Sequence, residues 1–472
     1  MADEKKDSSN GIFDSIEGGI IKYWPWILVA VAVYLIFSNN LQYGFIRWIL
    51  ILAGTIFLGW VAWRFWLHYV QQDFISGIDF VLLEIVPPRE VLRSPKAMEL
   101  FFTNALYHWS QKAGKEEWWQ GAVWFWFSLE IVSIDGQVHF YIRTPTRVRS
   151  LIETQMYAQY PQAQVKVVED YTLAVDEITP ESAWNGWGCE FKLLKPEAYP
   201  LKTYVDYGLD KDPKEEFKVD PISPVIEFFG SLQKGEQAWM QIVITPSKKE
   251  YRTHGSYFKK HDWVEESQLA INKMLLPYSS YKDVQTYKDV GLGRSRIEIR
   301  PPDFIKKTLE GMVAKKTKIG FDTGIRVMYV AKKEVFDMNT RKSMRLLFRQ
   351  YANPDSNQLW RDNSTQADAF NTRFFMLSTK KVMILANRML NEYRERSFFR
   401  LPLRHFFNNH NITGLTAIIV KQFWLPYFHP PTFVLNVEEL ATLWHFPGQI
   451  LKVPTLERIE SKEASPPSNL PI

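Results

Sequence analysis

Clustered arginines and lysines are the residues whose types and spacing are best suited to chemistry, and that chemistry is anion binding. One cluster, Arg341, Lys342, Arg345 and Arg349, falls on a helix predicted to begin after Asn339. Cationic side chains at this spacing can bind the phosphates of nucleic acid or of lipid headgroups. A solvated helix face can have the same composition, so a nucleic-acid-binding surface is one of two alternatives. Further basic stretches are Lys306-Lys307, Lys315-Lys316-Lys318 and residues 394–404.

Motifs of catalysis are not evident. A nucleotide-binding loop needs the pattern GxxxxGKS or GxxxxGKT, and the glycine-bearing run at 291–295 lacks the lysine that contacts phosphates. His405 and His410 lie in a basic stretch typical of surface histidines rather than metal ligands. Glu438 and Glu439 stand at a predicted helix start, where carboxylates complement the helix dipole. We therefore expect no enzymatic activity, no cofactor and no metal, although carboxylates that converge from distant parts of the chain would escape this search.

Composition places few limits on the partner. The chain has 472 residues and a formal net charge of +5, and such a length suggests about three structural units. So small a charge permits contact with anionic lipid or nucleic acid but does not require it. The single cysteine, Cys189, excludes a disulfide within the chain.

The elements that must position these residues follow an apolar N-terminal stretch, residues 23–70. Only Arg47 and Arg64 interrupt it with full charges, and aromatic residues crowd its ends. A bilayer core is crossed by about 20 mostly apolar residues per helix, with aromatic side chains at its interfaces. The stretch therefore predicts two transmembrane helices, at about 23–37 and 45–66; a buried hairpin of a soluble protein is the alternative. Lysines precede the first helix and are absent from the loop, so both termini are expected in the cytoplasm.

A β-hairpin is the clearest element of the remaining chain. Asp135-Gly136 is a strong hairpin signal, because a two-residue type I′ turn needs positive φ at both positions. The resulting register gives one apolar and one polar face, as a sheet covered on one side requires. The predicted pairs are Ile131 with Phe140, Leu129 with Ile142, Glu130 with Tyr141 and Ser128 with Arg143.

Two α+β units are predicted after the membrane hairpin. Residues 78–173 have the order β-α-β-β-α-β, the ferredoxin-like pattern of an antiparallel sheet with two helices on one face. A similar order starts at Cys189 and is interrupted at about 246–320 by inserted helices, about 263–275 and 302–318. The predicted fold class is α+β, with two N-terminal transmembrane helices followed by two ferredoxin-like units. The predicted organisation is a disordered cytoplasmic tail at 1–19, a transmembrane helical hairpin at 20–70, ferredoxin-like domains at 71–180 and 181–385, a C-terminal extension at 386–460 and a flexible tail at 461–472.

Two segments resemble a known family. They are ETQMYAQYPQAQVKVVEDY at 153–171 and the run that begins FVLNVEELATLWHFPG at 433–471. They are similar to the uncharacterised domain ahead of the motor in coupling-protein-like ATPases of bacterial type IV secretion and conjugation systems, notably in candidate phyla. The resemblance covers about residues 77–472, and the membrane hairpin resembles the anchor of the conjugative coupling protein. The motor's phosphate-binding loop has no counterpart in this sequence, so no catalytic residue can be carried over.

The resemblance implies a membrane-anchored, non-catalytic adaptor or scaffold, multi-pass in a bacterial inner membrane, associated with a RecA-like motor ATPase that transfers DNA or protein. The helix after Asn436 would dock the motor through Leu440, Leu443 and Trp444; the alternative is that it packs on its own domain. The second hypothesis is a membrane-anchored nucleic-acid-binding protein that contacts DNA through its basic faces. A homo-oligomer around the motor is a further expectation by analogy.

Overall fold

The computed structural model describes residues 44–88, 91, 93–107, 114–210, 219–247, 262–282, 296–299, 302–365, 379–396, 398–399 and 432–448. The chain divides into two compact units. Unit 1 comprises Met1–Ile75 and Lys112–Val123, and unit 2 comprises Ser76–Gln111 and Trp124–Ile472.

Helices and strands of the described residues are numbered in chain order. The helices are α1 Gly44–Ser76, α2 Lys96–Phe101, α3 Gly114–Trp119, α4 Arg149–Gln159, α5 Ser223–Gly230, α6 Trp263–Leu275, α7 Asp303–Thr317, α8 Thr340–Arg345, α9 Thr379–Glu395 and α10 Val437–Leu443. The strands are β1 Phe80–Val86, β2 Phe127–Ile134, β3 Gln137–Pro145, β4 Gln164–Val168, β5 Trp184–Leu193, β6 Glu236–Pro246, β7 Ser279–Lys282, β8 Arg296–Ile299, β9 Gly320–Lys332, β10 Leu359–Asp362 and β11 Phe433–Asn436.

Unit 1 contains the long helix α1 and the short helix α3. The two helices contact each other through the rings of Trp63 and Trp118, whose centroids lie 5.6 Å apart. Helix α1 forms over the second predicted membrane span, but it includes Arg47 and Arg64 and continues through Asp73. Within the described residues, no helix is long and apolar enough to cross a membrane.

This finding contradicts the predicted transmembrane hairpin. The multi-pass localisation in a bacterial inner membrane, which depended on the hairpin, is wrong for the same reason. The apolar run of the sequence ends at Val70, whereas α1 continues through polar residues to Ser76. The first predicted span, at 23–37, lies outside the described residues.

Unit 2 is built on a nine-stranded antiparallel sheet. The strand order is β10-β5-β9-β6-β2-β3-β1-β4, and β11 pairs with the first residues of β9. The β2–β3 hairpin turns at Asp135, with φ 53°, and Gly136, with φ 83°. All four predicted hairpin pairs are confirmed by the register of the two strands.

The two halves of the sheet repeat one pairing order. It is β4-β1-β3-β2 in the first half and β10-β5-β9-β6 in the second. The halves are not separate, because β2 and β6 pair from Phe127 with Ile244 to Ile134 with Gln237. The α+β class agrees with the prediction. Two transmembrane helices followed by two ferredoxin-like units is wrong, because the strands that would be edges of two sheets join into one.

The insertion predicted at 246–320 lies between β6 and β9. It contains α6 and α7, as predicted, and a two-stranded sheet of β7 and β8. Helix α6 begins at Trp263 because the side chain of Asp262 accepts a hydrogen bond from the backbone N–H of Val264. A small apolar cluster that includes Ala198 and Met312 packs the two helices against the loop after β5.

Apolar side chains cover both faces of the sheet. On the first face, α2, α4, α5, α8 and α10 belong to the core that contains Leu129 and Ile131 of β2. On the second face, α9 packs on Val132, Trp239 and Met328. The hairpin pattern predicted a sheet covered on one face only, and this prediction is wrong. Because both faces are covered, β6 is buried at every position and lacks an alternation of apolar and polar residues.

Candidate functional site

A row of polar side chains crosses the second face of the sheet. Cross-strand partners point to the same face. The register aligns Glu130 of β2 with Gln241 of β6, Gln241 with Arg326 of β9, and Arg326 with Glu190 of β5. All four side chains are 0% exposed, so their polar groups need partners inside the protein. The sequence analysis missed this row.

Arg326 lies between two carboxylates. Its Nη2 donates to Glu190 Oε1 at 2.7 Å and to Glu392 Oε2 at 3.2 Å, and its Nη1 donates to the backbone carbonyl of Glu392 at 2.8 Å. Glu392 also accepts from Arg388 at 3.0 Å. Burial raises the pKa of Glu190 above its ordinary value, against the lowering effect of the Arg326 charge. These contacts fasten α9 to the centre of the sheet.

Arg396 contacts the other end of the row, at Glu130. Its Nε donates to Glu130 Oε1 at 2.8 Å, and its Nη2 donates to Asp170 Oδ1 at 3.1 Å. Burial alone would lower the pKa of Arg396, but Glu130 and Asp170 hold it well above the ordinary value. The hydroxyl of Tyr171 donates to Glu130 Oε2 at 2.8 Å and lies 2.9 Å from the hydroxyl of Tyr393. Burial raises the pKa of both tyrosines.

This row, which we call the buried polar row, serves to attach α9. A general acid or base must come within hydrogen-bond distance of a substrate. Glu130 and Glu190 instead accept hydrogen bonds from guanidinium groups of the chain, and both are fully buried. We therefore assign the row to the stability of the fold and not to a reaction.

A cavity of about 660 Å³ lies between α7, the loop after β5 and the start of α10. Lys315 and Glu439 line it and form a buried ion pair at 3.0 Å. Glu439 also completes the capping box of α10 with Asn436, so its predicted position at a helix start is confirmed. Glu438 pairs with Lys318 at 2.6 Å. The basic stretch at 315–318 is thus largely neutralised by carboxylates of the chain.

Helix α8 places one of the predicted basic residues, Arg345, beside the sheet. The guanidinium carbon of Arg345 lies 5.5 Å from the centre of the Trp187 ring. Strand β10 adds Arg361, which the predicted cluster did not include. Arg361 pairs with Phe191 of β5, and its side chain therefore points to the first face, where Phe191 and Trp187 are buried. The sequence gives no sign that Arg361 belongs with the predicted basic residues, because its position depends on the pairing of β10 with β5.

The charges in this region repel one another. Partial burial, followed by the charge of Arg361, lowers the pKa of Arg341 below its ordinary value. Arg341 has no ion pair among the described residues, and its Nε is buried there without a hydrogen-bond partner. Lys342 and Arg349 are exposed on the same segment. We call Arg341, Lys342, Arg345, Arg349 and Arg361 the cationic surface.

The predicted docking residues lie inside unit 2. Leu440, Leu443 and Trp444 are each 0% exposed. Trp444 Nε1 donates to the backbone carbonyl of Glu130 at 3.3 Å, and its ring packs edge-on against Phe140 with centroids 5.7 Å apart. Helix α10 therefore packs on its own domain, which is the second of the two alternatives, and these side chains offer no surface to a motor ATPase.

Metal-ligating residues do not converge in the part of the chain that the structure describes. No group of three or more histidine, cysteine, aspartate or glutamate side chains there could hold an ion. Cys189 is buried, and burial raises the pKa of its thiol. His405, His410 and the run at 291–295 lie outside the described residues. The absence of a cofactor and of enzymatic activity stays a prediction.

Comparison with known families gives one match. A family model described as a domain of unknown function, DUF8128, matches residues 125–455. No curated protein matches the chain. The description of the family does not mention secretion or conjugation, so the resemblance to coupling-protein-like ATPases stays a prediction. Because the matched residues make up more than half of the sequence, the chain belongs to the DUF8128 family of domains of unknown function.

Proposed function

We propose that the chain is a non-catalytic binding protein whose cationic surface binds nucleic acid. The observation that carries the proposal is Arg341, a half-buried guanidinium group without a carboxylate partner among the described residues, whose pKa is lowered by burial and by the charge of Arg361. Like charges in a partly desolvated place repel each other. A phosphate bound by Arg341 would replace this repulsion with attraction.

Other arginines of unit 2 support this interpretation by contrast. Arg326 and Arg396 are buried, and each contacts two carboxylates. Arg341 contacts none in the same described region. A guanidinium group presents five donors in a planar fork that matches the oxygens of phosphate. The missing carboxylate therefore favours an anion from outside the chain as the partner of Arg341.

The test is fluorescence anisotropy of a labelled single-stranded oligonucleotide titrated with the full chain. Five cations that neutralise phosphates predict a slope of about −3 to −4 in a plot of log affinity against log salt, between about 50 and 200 mM. The triple variant R341Q/R345Q/R361Q should bind at least about 10-fold more weakly and should reduce the slope by about 2.

A matched control removes three exposed positive charges elsewhere. The variant K273Q/K306Q/K307Q changes α6 and α7 and should keep its affinity within about 2-fold of the unchanged protein. The proposal is rejected if the oligonucleotide does not bind at low salt, or if the control loses as much affinity as the arginine variant. Binding to anionic vesicles without binding to the oligonucleotide also rejects it, because the surface would then recognise lipid.

A further inference from the structure

The cavity between α7, the loop after β5 and the start of α10 is separate from the cationic surface. Its volume is about 660 Å³, and no residue of the cationic surface is among the described residues that line it. Small-molecule sites in proteins measure about 300–1,000 Å³ and combine apolar walls with a few convergent polar groups. The cavity therefore has the size of a ligand-binding site, and its lining decides which class of ligand fits.

The inner wall of the cavity offers a hydrogen-bond donor. Lys315 and Glu439 line it, with side chains 1% and 0% exposed. The Glu439 carboxylate is saturated, because its oxygens accept from the backbone N–H groups of Leu201 and Asn436 and both contact the Lys315 ammonium, at 3.1 and 3.0 Å. An ammonium has three N–H donors, and Glu439 is its one side-chain partner in the described part of the chain. At least one buried donor of Lys315 thus needs a further acceptor.

The rim of the cavity offers hydrogen-bond acceptors. Asp206, Glu310 and Asp355 line it and are exposed, and an ionised carboxylate can only accept hydrogen bonds. Glu438, also in the lining, pairs with Lys318, whereas Asp206 and Glu310 have no ion pair within the described ranges. The rim therefore favours a ligand that donates hydrogen bonds, and it repels anions.

Hydroxyl groups match both parts of the lining. A hydroxyl donates one hydrogen bond and accepts up to two, so one chemical group satisfies the Lys315 donor and the rim carboxylates. A phosphate would accept from Lys315 but is repelled by the rim, and an ammonium would donate to the rim but is repelled by Lys315. A hydrocarbon would leave the buried donor without an acceptor. Apolar side chains, Val205, Met274 and Ile305, complete the lining and can pack against C–H groups.

We propose that the cavity binds a neutral, polyhydroxylated ligand of the sugar class. One hydroxyl accepts a hydrogen bond from Lys315, others donate to Asp206 and Glu310, and the C–H groups of the ring pack on Met274 and Ile305. The inference does not depend on the proposed function, because the residues that carry the two sites are different.

Isothermal titration calorimetry of the full chain tests the ligand class. The probes are glucose, galactose and mannose, the 6-phosphate of each, and butylamine as a cation without hydroxyl groups. At least one neutral hexose should bind, and at least about 10-fold more tightly than its 6-phosphate, because the phosphate adds a charge of about −1.5 to −2 beside the carboxylates of the rim. Butylamine should not bind.

Variants of α7 test the place of binding. A314W puts a large ring on a residue that lines the cavity, without a change of charge, and should weaken hexose binding at least about 10-fold. V313W is the matched control, because Val313 is the preceding residue of α7, is 45% exposed and is not among the described lining residues. It should keep its affinity within about 2-fold. K315M removes the donor and should abolish binding. If K315M does not fold, because Glu439 is then buried without its partner, the two tryptophan variants decide alone.

The proposal is overturned if none of the three neutral hexoses binds, whether or not butylamine does. It is overturned equally if the 6-phosphates bind as tightly as the neutral sugars. Affinity that survives in A314W, or in a folded K315M, places the sugar elsewhere on the protein and also overturns it, as does an equal loss of affinity in A314W and V313W.

Discussion

Replacing Arg326 with methionine tests the buried polar row directly. The substitution removes the guanidinium between Glu190 and Glu392 and leaves both carboxylates in the interior, at 0% and 3% side-chain exposure. Breaking a buried ion pair by removing one partner costs about 3–5 kcal/mol, because the remaining charge is uncompensated. The free energy of unfolding of a natural domain is about 5–15 kcal/mol. R326M should therefore remove a large part of the stability of unit 2.

The neighbours of the two carboxylates decide how this cost depends on pH. Glu392 keeps its contact with Arg388 at 3.0 Å, so Glu190 bears most of the penalty. Burial already raises the pKa of Glu190 in the native protein, and losing Arg326 removes a charge that lowers it. A group whose pKa is raised by folding stabilises the native state at low pH and loses that contribution as the pH rises through the native pKa. The loss in R326M should thus be smaller at about pH 5 than at about pH 8.

Urea denaturation of the full chain, followed by tryptophan fluorescence, measures this loss. The variant E190Q/R326M removes the uncompensated charge together with the guanidinium and should be more stable than R326M. The control K192M breaks an exposed pair, Lys192 with Asp362 at 3.1 Å, and should cost less than about 1 kcal/mol. The reasoning is refuted if R326M costs no more than K192M, or if E190Q/R326M is the less stable of the two Arg326 variants.

Three other measurements address separate parts of the molecule. W444A should cost about 3–5 kcal/mol in urea denaturation because the indole is fully buried; unchanged stability would remove α10 from the core. The hydrogen bond from His139 lowers the pKa of Glu84 below 4.5. The contribution of this carboxylate to the stability of the native state is therefore complete above pH 4.5 and is lost as the pH falls through the pKa that Glu84 has in the native protein. E84Q should remove this part of the acid transition, and an unchanged profile would contradict it. A pull-down of the tagged chain from its native cells tests the family resemblance, which alone predicts a RecA-like ATPase in near-equal amount; recovery of no ATPase would reduce the resemblance to ancestry.

The β2–β3 hairpin was predictable because its determinants are local. Asp135-Gly136 fixes the turn, and the alternation beside it fixes the register. The pairing of β2 with β6 was not predictable in this way, because no turn joins the two strands and β3, β4 and β5 lie between them in the sequence. A strand that pairs with neighbours on both sides and a strand at the edge of a sheet can have the same alternation of apolar and polar residues. The sequence therefore suggested two sheets where the protein has one.

The buried polar row left a weak signal in the sequence. Glu130, Gln241, Arg326 and Glu190 each stand between apolar neighbours within a strand. A polar residue in such a run indicates either a solvent-exposed face or a buried partner. The hairpin pattern favoured the first, since it placed Glu130 on the polar face of a one-sided sheet. The second applies because α9 covers that face, and α9 lies too far along the chain for any local pattern to connect the two.

The same limit explains why basic stretches alone could not identify a binding surface. The sequence presents Arg396, within 394–404, and Arg341 as equivalent members of basic clusters. The fold brings Glu130 and Asp170 to Arg396, which is buried and neutralised. It brings no carboxylate to Arg341 among the described residues, and it adds the charge of Arg361. An arginine is available to an external phosphate when the fold supplies no carboxylate of its own, and such carboxylates come from distant strands and helices. By this criterion Arg341 is available and Arg396 is not.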